Sequence, residues 1–323
     1  MDWRSQASIE VLQQRAELMR RVRQFFYDRK VLEVDTPALS QRGVTDCHLE
    51  NLVTTLSADA TGQALELFLQ TSPEYAMKRL LAQYKTSIYQ LSHVFRDDEI
   101  GRHHNPEFMM LEWYRIGFSM NDLIAEVAEL LTDCINAPAT DIITYQQAFL
   151  EHTQCDPLTA AGRDALHQRL KQRDDTASWM QAETDTDTML QLAFYLWVEP
   201  NLPADRPVAI THFPATQAAL ARLSETDDRV ALRFEIYYQG IELANGYDEL
   251  IDSAVQAQRF AQDNELRQAH SKLMKAPDER LLAALEHGMP TCAGVALGFD
   301  RLLMIATGAD HIAQVQPFSV ANC

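Results

Sequence analysis

The chain has 323 residues, 46% hydrophobic and 23% charged, a composition typical of a globular protein with a sizeable core. Its 46 acidic and 28 basic residues give a net charge of −18, which disfavours broad nucleic-acid binding because phosphate backbones are held by Lys and Arg. Five scattered cysteines without a C-x-x-C pattern predict reduced thiols, and no apolar run approaches the ~20 residues of a membrane span, so we expect a cytoplasmic protein.

The N-terminal pattern is typical of an amphipathic helix followed by a strand. Apolar residues recur at three- and four-residue steps from Ser8 to Arg29, and Ser8 is of a type that caps helices. A short strand over Val31–Asp35 leads into Pro37. Leu65–Gln70 predicts the next strand, and Ser72-Pro73-Glu74 predicts a helix with Ser72 as cap and Pro73 at its first position.

Ser87–Tyr114 predicts two strands joined by a long charged loop. In the second strand Met109, Leu111 and Trp113 form an apolar side, and the opposite side carries Phe108, Met110, Glu112 and Tyr114. The loop, Asp97–Pro106, is longer than most hairpin loops, and loops of this kind on rigid strands often bind a ligand. An ordinary amphipathic hairpin with a solvated polar face is the alternative.

The middle of the chain predicts supporting structure with no assigned chemistry. Residues 120–135 form an amphipathic pattern, and further helical patterns lie near 165–173 and 188–197. A strand-like segment, Val208–Thr211, follows. We interpret about 140–230 as a largely helical insertion.

A second hairpin is predicted from Arg233 onwards, with Gln239-Gly240 as its turn. A two-residue turn would pair Tyr237 with Glu242 and place Glu235 diagonal to Glu242, roughly 7 Å away between Cβ atoms. Like charges so placed need a cation between them, such as the magnesium of a nucleotide. The alternative is two glutamates splayed into water. Asn245-Gly246 predicts a bend that brings Glu249 back to the ligand pocket.

The C-terminal part predicts a strand feeding a helix. Gly294, Ala296 and Gly298 alternate on one side, which leaves that face nearly bare so that a ligand can approach the backbone. Arg301 follows at the start of the helix and would reach phosphate. Tight packing beneath a helix, with Arg301 in a surface salt bridge, is the alternative.

These segments resemble the three motifs of class II aminoacyl-tRNA synthetases, in the form found in lysyl-tRNA synthetase. The first helix and strand resemble motif 1, the segment FRDDEIGRHHNPEF…EWY resembles motif 2, and AGVALGFDRLLM resembles motif 3. The resemblance covers about Leu12 to Phe318. It implies a single α+β catalytic domain over residues 1–323, an antiparallel sheet flanked by helices, and a homodimer formed through motif 1.

The resemblance also implies ATP-dependent activation of an amino acid as its adenylate, with Mg²⁺. The implied catalytic residues are Arg96 and Arg301, which would neutralise phosphate charge. The implied magnesium ligands are Glu235 and Glu242. The implied amino-acid contacts are Ser72, Glu74, Tyr114, Glu249 and Ala296. The implied ATP contacts are Arg96, Asp98, Asn105, Phe108, Glu242, Leu243, Gly298 and Arg301.

Two features resemble a narrower family, the elongation factor P–(R)-β-lysine ligases, which are lysyl-tRNA synthetase paralogues. Motif 1 begins close to Met1, so we expect no anticodon-binding domain, and Ala296 stands where the tRNA synthetases have glycine. The family activates β-lysine and transfers it to a lysine side chain of elongation factor P, which implies that protein as partner and no tRNA. Asp98 departs from the family, which has glutamate there; Glu99 could substitute for it.

Two alternatives stay open at this point. One is a free-standing lysyl-tRNA synthetase-like enzyme that activates α-lysine, which the acidic composition and Ala296 disfavour. The other is a non-catalytic paralogue that binds lysine or adenylate. The presence of Arg96 and Arg301, and of the glutamates Glu235, Glu242 and Glu249, disfavours it.

Overall fold

The computed structural model describes residues 3–97, 99–176 and 180–323. By internal contacts the chain divides into two compact units, Met1–Asn136 with Glu249–Cys323, and Ala137–Asp248. That both units act as one catalytic domain stays a prediction. Within the described ranges, no helix is long and apolar enough to cross a membrane.

Helices and strands are interspersed along the described part of the chain. The α-helices are α1 (Ile9–Asp28), α2 (Glu74–Tyr84), α3 (Met120–Ile135), α4 (Tyr145–Thr153), α5 (Ala160–Lys171), α6 (Thr186–Ala193), α7 (Ser253–Ala269), α8 (Glu279–Gly288) and α9 (Phe299–Thr307). The strands are β1 (Leu32–Glu33), β2 (Leu39–Ser40), β3 (Val53–Leu56), β4 (Leu65–Leu69), β5 (Ile88–Phe95), β6 (Glu107–Ile116), β7 (Asp141–Thr144), β8 (Val208–Thr211), β9 (Arg233–Tyr238), β10 (Ile241–Asp248) and β11 (Cys292–Gly298).

In the first unit, the strand order β1-β5-β6-β11 forms the platform on which the site is built. The neighbours β5–β6 and β6–β11 are antiparallel, and only the short β1 runs parallel to its partner β5. A separate small sheet has the order β2-β4-β3. The predicted antiparallel hairpin of motif 2 is therefore confirmed, whereas the strand predicted over Val31–Asp35 is reduced to two residues.

Helix α1 packs against this unit's own sheet. Ser8 caps it by accepting a hydrogen bond from Val11 N, as the sequence predicts. The ring of Phe26 stacks on Tyr89 at 4.4 Å between centroids and meets Trp113 edge-on at 5.3 Å. The apolar side predicted for β6 thus forms core beneath α1, which leaves the opposite side of the sheet for other contacts. The homodimer expected through this helix stays a prediction.

The second unit is more β-rich than expected. Its strands have the order β10-β9-β8-β7, with β8 parallel to β7 and antiparallel to β9. Tyr145 packs against Phe149, Phe194 and Phe213 in its core. The region predicted as largely helical therefore also contributes two strands to this sheet. One of them, Val208–Thr211, has the predicted bounds.

The second hairpin keeps its predicted turn and its predicted pairing next to the turn, and the register changes only further along the strands. Gln239 and Gly240 both have positive φ, which suits a tight hairpin turn, and Tyr237 lies opposite Glu242. A bulge between Glu242 and Ala244 then shifts the pairing, so that Glu235 lies opposite Asn245. The bend predicted at Asn245-Gly246 is wrong, because both residues are paired within β10.

The start of α2 also differs from the prediction. The helix begins at Glu74, and its N-cap residue Pro73 makes no side-chain cap bond. The hydroxyl of Ser72 still accepts from Glu74 N at 3.0 Å, as the predicted cap would, and it also donates to Oε2 of Glu112 at 2.7 Å. Ser72 therefore links the helix to the β-sheet, and the local sequence pattern gave no sign of this contact.

Candidate active site

Strand register gathers one set of side chains on the face of the sheet opposite α1. Glu112 lies opposite Gln90 on one side and Ala296 on the other, and Tyr114 lies opposite Gly294. Directly opposed residues project to the same face of a sheet. The structure thus brings Tyr114 and Ala296, which are predicted substrate contacts, to one surface together with Glu112, which the sequence analysis did not single out.

Glu112 is buried and fully engaged. Its Oε2 accepts from Ser72 and its Oε1 accepts from the Tyr114 hydroxyl, both at 2.7 Å. Burial raises the pKa of Glu112 to about 7, and the nearby Glu74 carboxylate adds to the rise while the two hydrogen bonds oppose it. This carboxyl group consequently takes up a proton near neutral pH more readily than an ordinary glutamate.

Two further glutamates share a single buried ammonium group. Lys78 is 1% exposed, and its Nζ lies 2.7 Å from Oε1 of Glu74 and 2.6 Å from Oε2 of Glu249. Burial alone would lower the pKa of Lys78, but the two carboxylates outweigh burial and raise it. Lys78 therefore stays charged, and it joins the two residues predicted to bind the amino groups of the substrate.

Glu249 keeps one oxygen without a partner. Its Oε1 is buried and has no hydrogen-bond donor among the described residues. Burial raises the pKa of Glu249 to about 8, although Lys78 opposes the shift. An orphaned carboxylate oxygen is costly in a buried site. An ammonium group of a bound ligand would satisfy it.

The bare strand face predicted around Gly294 is filled by the protein itself. A Cβ at Gly294 would lie 2.3 Å from Oε1 of Glu249 and 2.4 Å from Cε1 of Tyr114. At Gly298 the corresponding atom would lie 3.4 Å from Cδ of Arg301. The small residues of β11 therefore admit the protein's own functional side chains, and the expectation that they expose backbone to a ligand is wrong for Gly294.

The predicted ATP contacts of the first unit cluster at the loop between β5 and β6. The guanidinium of Arg96 lies 5.3 Å above the ring of Phe108 and 3.6 Å from Oε1 of Glu99. Arg301 contacts the same loop through Nε2 of His104 at 2.6 Å and the carbonyl of His103 at 3.3 Å. Two guanidinium groups and an aromatic ring around one loop suit a nucleotide phosphate and base.

Other predicted ATP contacts have different surroundings. The Asn105 side chain donates to the carbonyl of Glu107 at 2.6 Å and accepts from Val320 N at 3.1 Å, so it ties the loop to the C-terminal segment. Leu243 is buried at the bulge of β10. Asp98 lies outside the described residues. The ATP roles of these three residues stay predictions.

Arg301 is oriented through its neighbour Asp300. Asp300 Oδ1 pairs with the buried Arg15 of α1 at 2.5 Å, and its Oδ2 accepts from Met109 N at 2.9 Å and from Gln316 at 2.9 Å. These contacts fasten the start of α9 to α1 and β6. The next residue, Arg301, is thereby held on a rigid element.

The two carboxylates predicted to bind metal lie in the second unit. Glu235 is buried, pairs with Arg233 and accepts from the Tyr237 hydroxyl at 2.6 Å. Burial raises the pKa of Glu235, Arg233 opposes the rise and Glu242 adds to it, which places the two glutamates near each other. Across the described ranges, no group of three or more His, Cys, Asp and Glu side chains has the arrangement of a metal site.

A carboxylate pair of this kind fits Mg²⁺ that is also held by phosphate oxygens and water. Magnesium is commonly bound by one or two carboxylates plus substrate phosphates rather than by an all-protein cage. Arg233 lies against Glu235 and compensates its charge. The ligation itself stays a prediction.

Comparison with known proteins agrees with this arrangement of motifs. The family model for class II tRNA synthetases (D, K and N) matches residues 1–322. The chain belongs to the class II tRNA synthetase family. Three proteins that are similar to this chain are each named elongation factor P–(R)-beta-lysine ligase.

The three relatives match over nearly their whole length. The protein of Hamiltonella defensa subsp. Acyrthosiphon pisum is 49% identical over 319 residues, which cover 99% of this chain and 98% of the relative. That of Edwardsiella ictaluri is 49% identical over 98% of this chain and 97% of the relative. That of Pasteurella multocida is 48% identical over 99% and 98%, respectively.

Two residues of the candidate site were missed by sequence reasoning. Glu112 shares the period-2 face of Phe108 and Tyr114, so its position was available from the pattern. Lys78 stands four residues after Glu74, a spacing that brings helical side chains together. Its contact with Glu249, which is distant in sequence, is visible only in the folded chain.

Proposed function

We propose that this protein activates (R)-β-lysine with ATP as an aminoacyl-adenylate and transfers it to a lysine side chain of elongation factor P. The observation that carries the proposal is the cluster of Glu74, Glu112 and Glu249 around the buried Lys78, built on a class II synthetase sheet. Three carboxylates against one lysine leave an excess of two negative charges when all four groups are ionised. A substrate with two ammonium groups matches that excess. The names of the relatives support the same substrate and acceptor.

In the first step the carboxylate of β-lysine attacks the α-phosphorus of ATP and pyrophosphate leaves. Such a step depends on positioning and charge neutralisation more than on a side-chain base. Arg96 and Arg301 would neutralise phosphate charge, and Phe108 would stack on adenine. Glu74 and Glu249 would hold the ammonium groups, while Tyr114 would position Glu112.

Glu235 and Glu242 would hold the magnesium ion that accompanies ATP. When bound, the ion neutralises charge on the phosphate oxygens. Among the predicted ATP contacts, Leu243 and Gly298 have small or apolar side chains and would act through backbone groups. Asn105 would act by holding the loop, as its two hydrogen bonds already do.

In the second step the neutral amine of the acceptor lysine attacks the adenylate carbonyl. The C–N bond forms, the bond to the AMP oxygen breaks, and the amine proton passes to solvent. Elongation factor P is the proposed acceptor, and we propose that tRNA is not. We also propose a homodimer in the cytoplasm, for which α1 would supply the interface.

The test measures ATP–pyrophosphate exchange with β-lysine and with α-lysine, followed by transfer of labelled β-lysine to purified elongation factor P. We expect strong exchange with β-lysine and a labelled factor. Preference for α-lysine with charging of tRNA would contradict the proposal, and absence of exchange with either amino acid would contradict an enzymatic role.

A further inference from the structure

Lys78 is buried among the proposed substrate contacts, yet the proposed reaction assigns it no role. It lies on α2 one turn after Glu74 and is 1% exposed. It is not a core residue that happens to be charged, because both of its ion-pair partners are carboxylates of the substrate pocket. Glu112 and Tyr114 are the next ionisable groups around this cluster.

Lys78 contacts only one of the two carboxylate oxygens of each partner glutamate. Lys78 takes Oε1 of Glu74 and Oε2 of Glu249, at 2.7 and 2.6 Å. It leaves Oε1 of Glu249 buried against Gly294, without a donor among the residues that the structure describes. Glu74, whose side chain is 15% exposed, is the more open of the two. A single ammonium therefore orients both carboxylates and leaves an acceptor for a second cation.

We propose that Lys78 is a positioning residue that sets the distance between the two ammonium subsites, and with it the length of the diamino acid that the pocket accepts. The inference deepens the proposed function and rests on it. Glu74 lies on α2 and Glu249 follows β10, so no secondary-structure element common to both fixes the separation of their carboxylates. The Lys78 ammonium binds both at once and fixes their separation.

A purely structural ion pair is the competing explanation. Buried ion pairs contribute little net stability compared with apolar residues of the same size, because desolvation offsets their attraction. If the role is structural, replacing Lys78 should lower kcat/KM for β-lysine and for ATP by the same factor. A positioning role changes the selection between amino acids that differ in length, and this difference can be measured.

The test replaces Lys78 with methionine, which keeps the length of the side chain and removes its charge. ATP–pyrophosphate exchange is measured with β-lysine and with its homologue shortened by one methylene, 3,5-diaminopentanoate. We expect KM for β-lysine to rise about 10- to 100-fold, the loss typical of hydrogen bonds between charged groups. The KM for ATP should stay within about twofold, and the preference for β-lysine over the shorter homologue should fall by about fivefold or more.

Lys85→Met is the matched control. Lys85 follows the same helix, is exposed, and donates to the carbonyl of Gly288, away from the pocket carboxylates. All constants of this variant should equal those of the wild type. If Lys78→Met fails to fold, Lys78→Arg keeps the charge but enlarges the head group, and the preference for β-lysine should still fall.

The outcomes separate the inference from the function on which it rests. Wild-type protein that shows no exchange with β-lysine would overturn the proposed function itself. Wild-type exchange together with an unchanged length preference in the folded Lys78 variant would overturn the role of Lys78 alone. An equal loss of β-lysine and ATP use would also overturn it, because that result indicates a structural ion pair.

Discussion

Replacing Gly294 with alanine tests the geometry of the amino-acid pocket with a single methyl group. The added Cβ would lie 2.3 Å from Oε1 of Glu249, and 2.4 and 2.5 Å from Cε1 and Cδ1 of Tyr114. Ordinary contacts begin near 3.4 Å. Glu249 or Tyr114 must therefore move by about 1 Å, and neither has open space because both are buried.

The magnitude follows from this overlap. Overpacking a buried site costs about 1–3 kcal/mol of the free energy of unfolding. A displacement of about 1 Å in a positioning group can cost about 100-fold in rate. We therefore expect Gly294→Ala to lower the midpoint of chemical unfolding and to reduce kcat/KM for β-lysine by about 100-fold, with a much smaller change in KM for ATP.

Gly298→Ala is the control for the stability measurement. It introduces the same methyl group on the same strand face, but its Cβ would meet Arg301 at 3.4 Å, an ordinary contact distance. Its unfolding midpoint should match that of the wild type. If Gly294→Ala keeps both its stability and its β-lysine kinetics within about twofold of the wild type, Glu249 does not lie against this strand and our description of the pocket is wrong.

Four further predictions concern the same pocket. Glu249→Gln should raise KM for β-lysine more than KM for ATP in the exchange assay; equal losses would place Glu249 elsewhere. Ala296→Gly, which removes the methyl group opposite Glu112, should widen acceptance of α-lysine, and unchanged α-lysine activation would contradict the pocket assignment. With pKa values raised to about 7 for Glu112 and about 8 for Glu249, both carboxyl groups tend to hold protons below neutrality, so KM for β-lysine should fall as pH rises from 6 to 8. The same raised pKa values stabilise the folded protein in acid, and this stabilisation should be lost progressively as pH rises from the ordinary glutamate pKa of 4.5 to about 8, as thermal unfolding at each pH would reveal.

Local sequence patterns were reliable where one segment determines its own structure. The period of apolar residues predicted α1 and α3, and period-2 alternation predicted the two faces of β6. The two-residue turn at Gln239-Gly240 was likewise readable, since both positions need a left-handed backbone and glycine favours one. Prediction failed where two segments compete: Asn245-Gly246 looks like a bend, yet pairing with β9 keeps it extended.

The candidate site divides in the same way. Ser72, Glu74, Tyr114 and Ala296 stand in motifs that the sequence displays, and the family could be inferred from those motifs alone. The strand register that brings Ala296 to Glu112, and the contact that joins Lys78 to Glu249, involve residues far apart in the chain. The periodicity of the sequence cannot predict such contacts, because each depends on how separate elements pack together.

The family, the order of the motifs and the apolar strand faces could all be predicted before the fold was known, because they depend on residue type and short spacing. The space that Gly294 leaves for Glu249, and the lysine that bridges two pocket carboxylates, are visible only in the folded chain. The physical reason is that burial, orphaned oxygens and shared counter-charges arise between elements that meet only when the chain is folded.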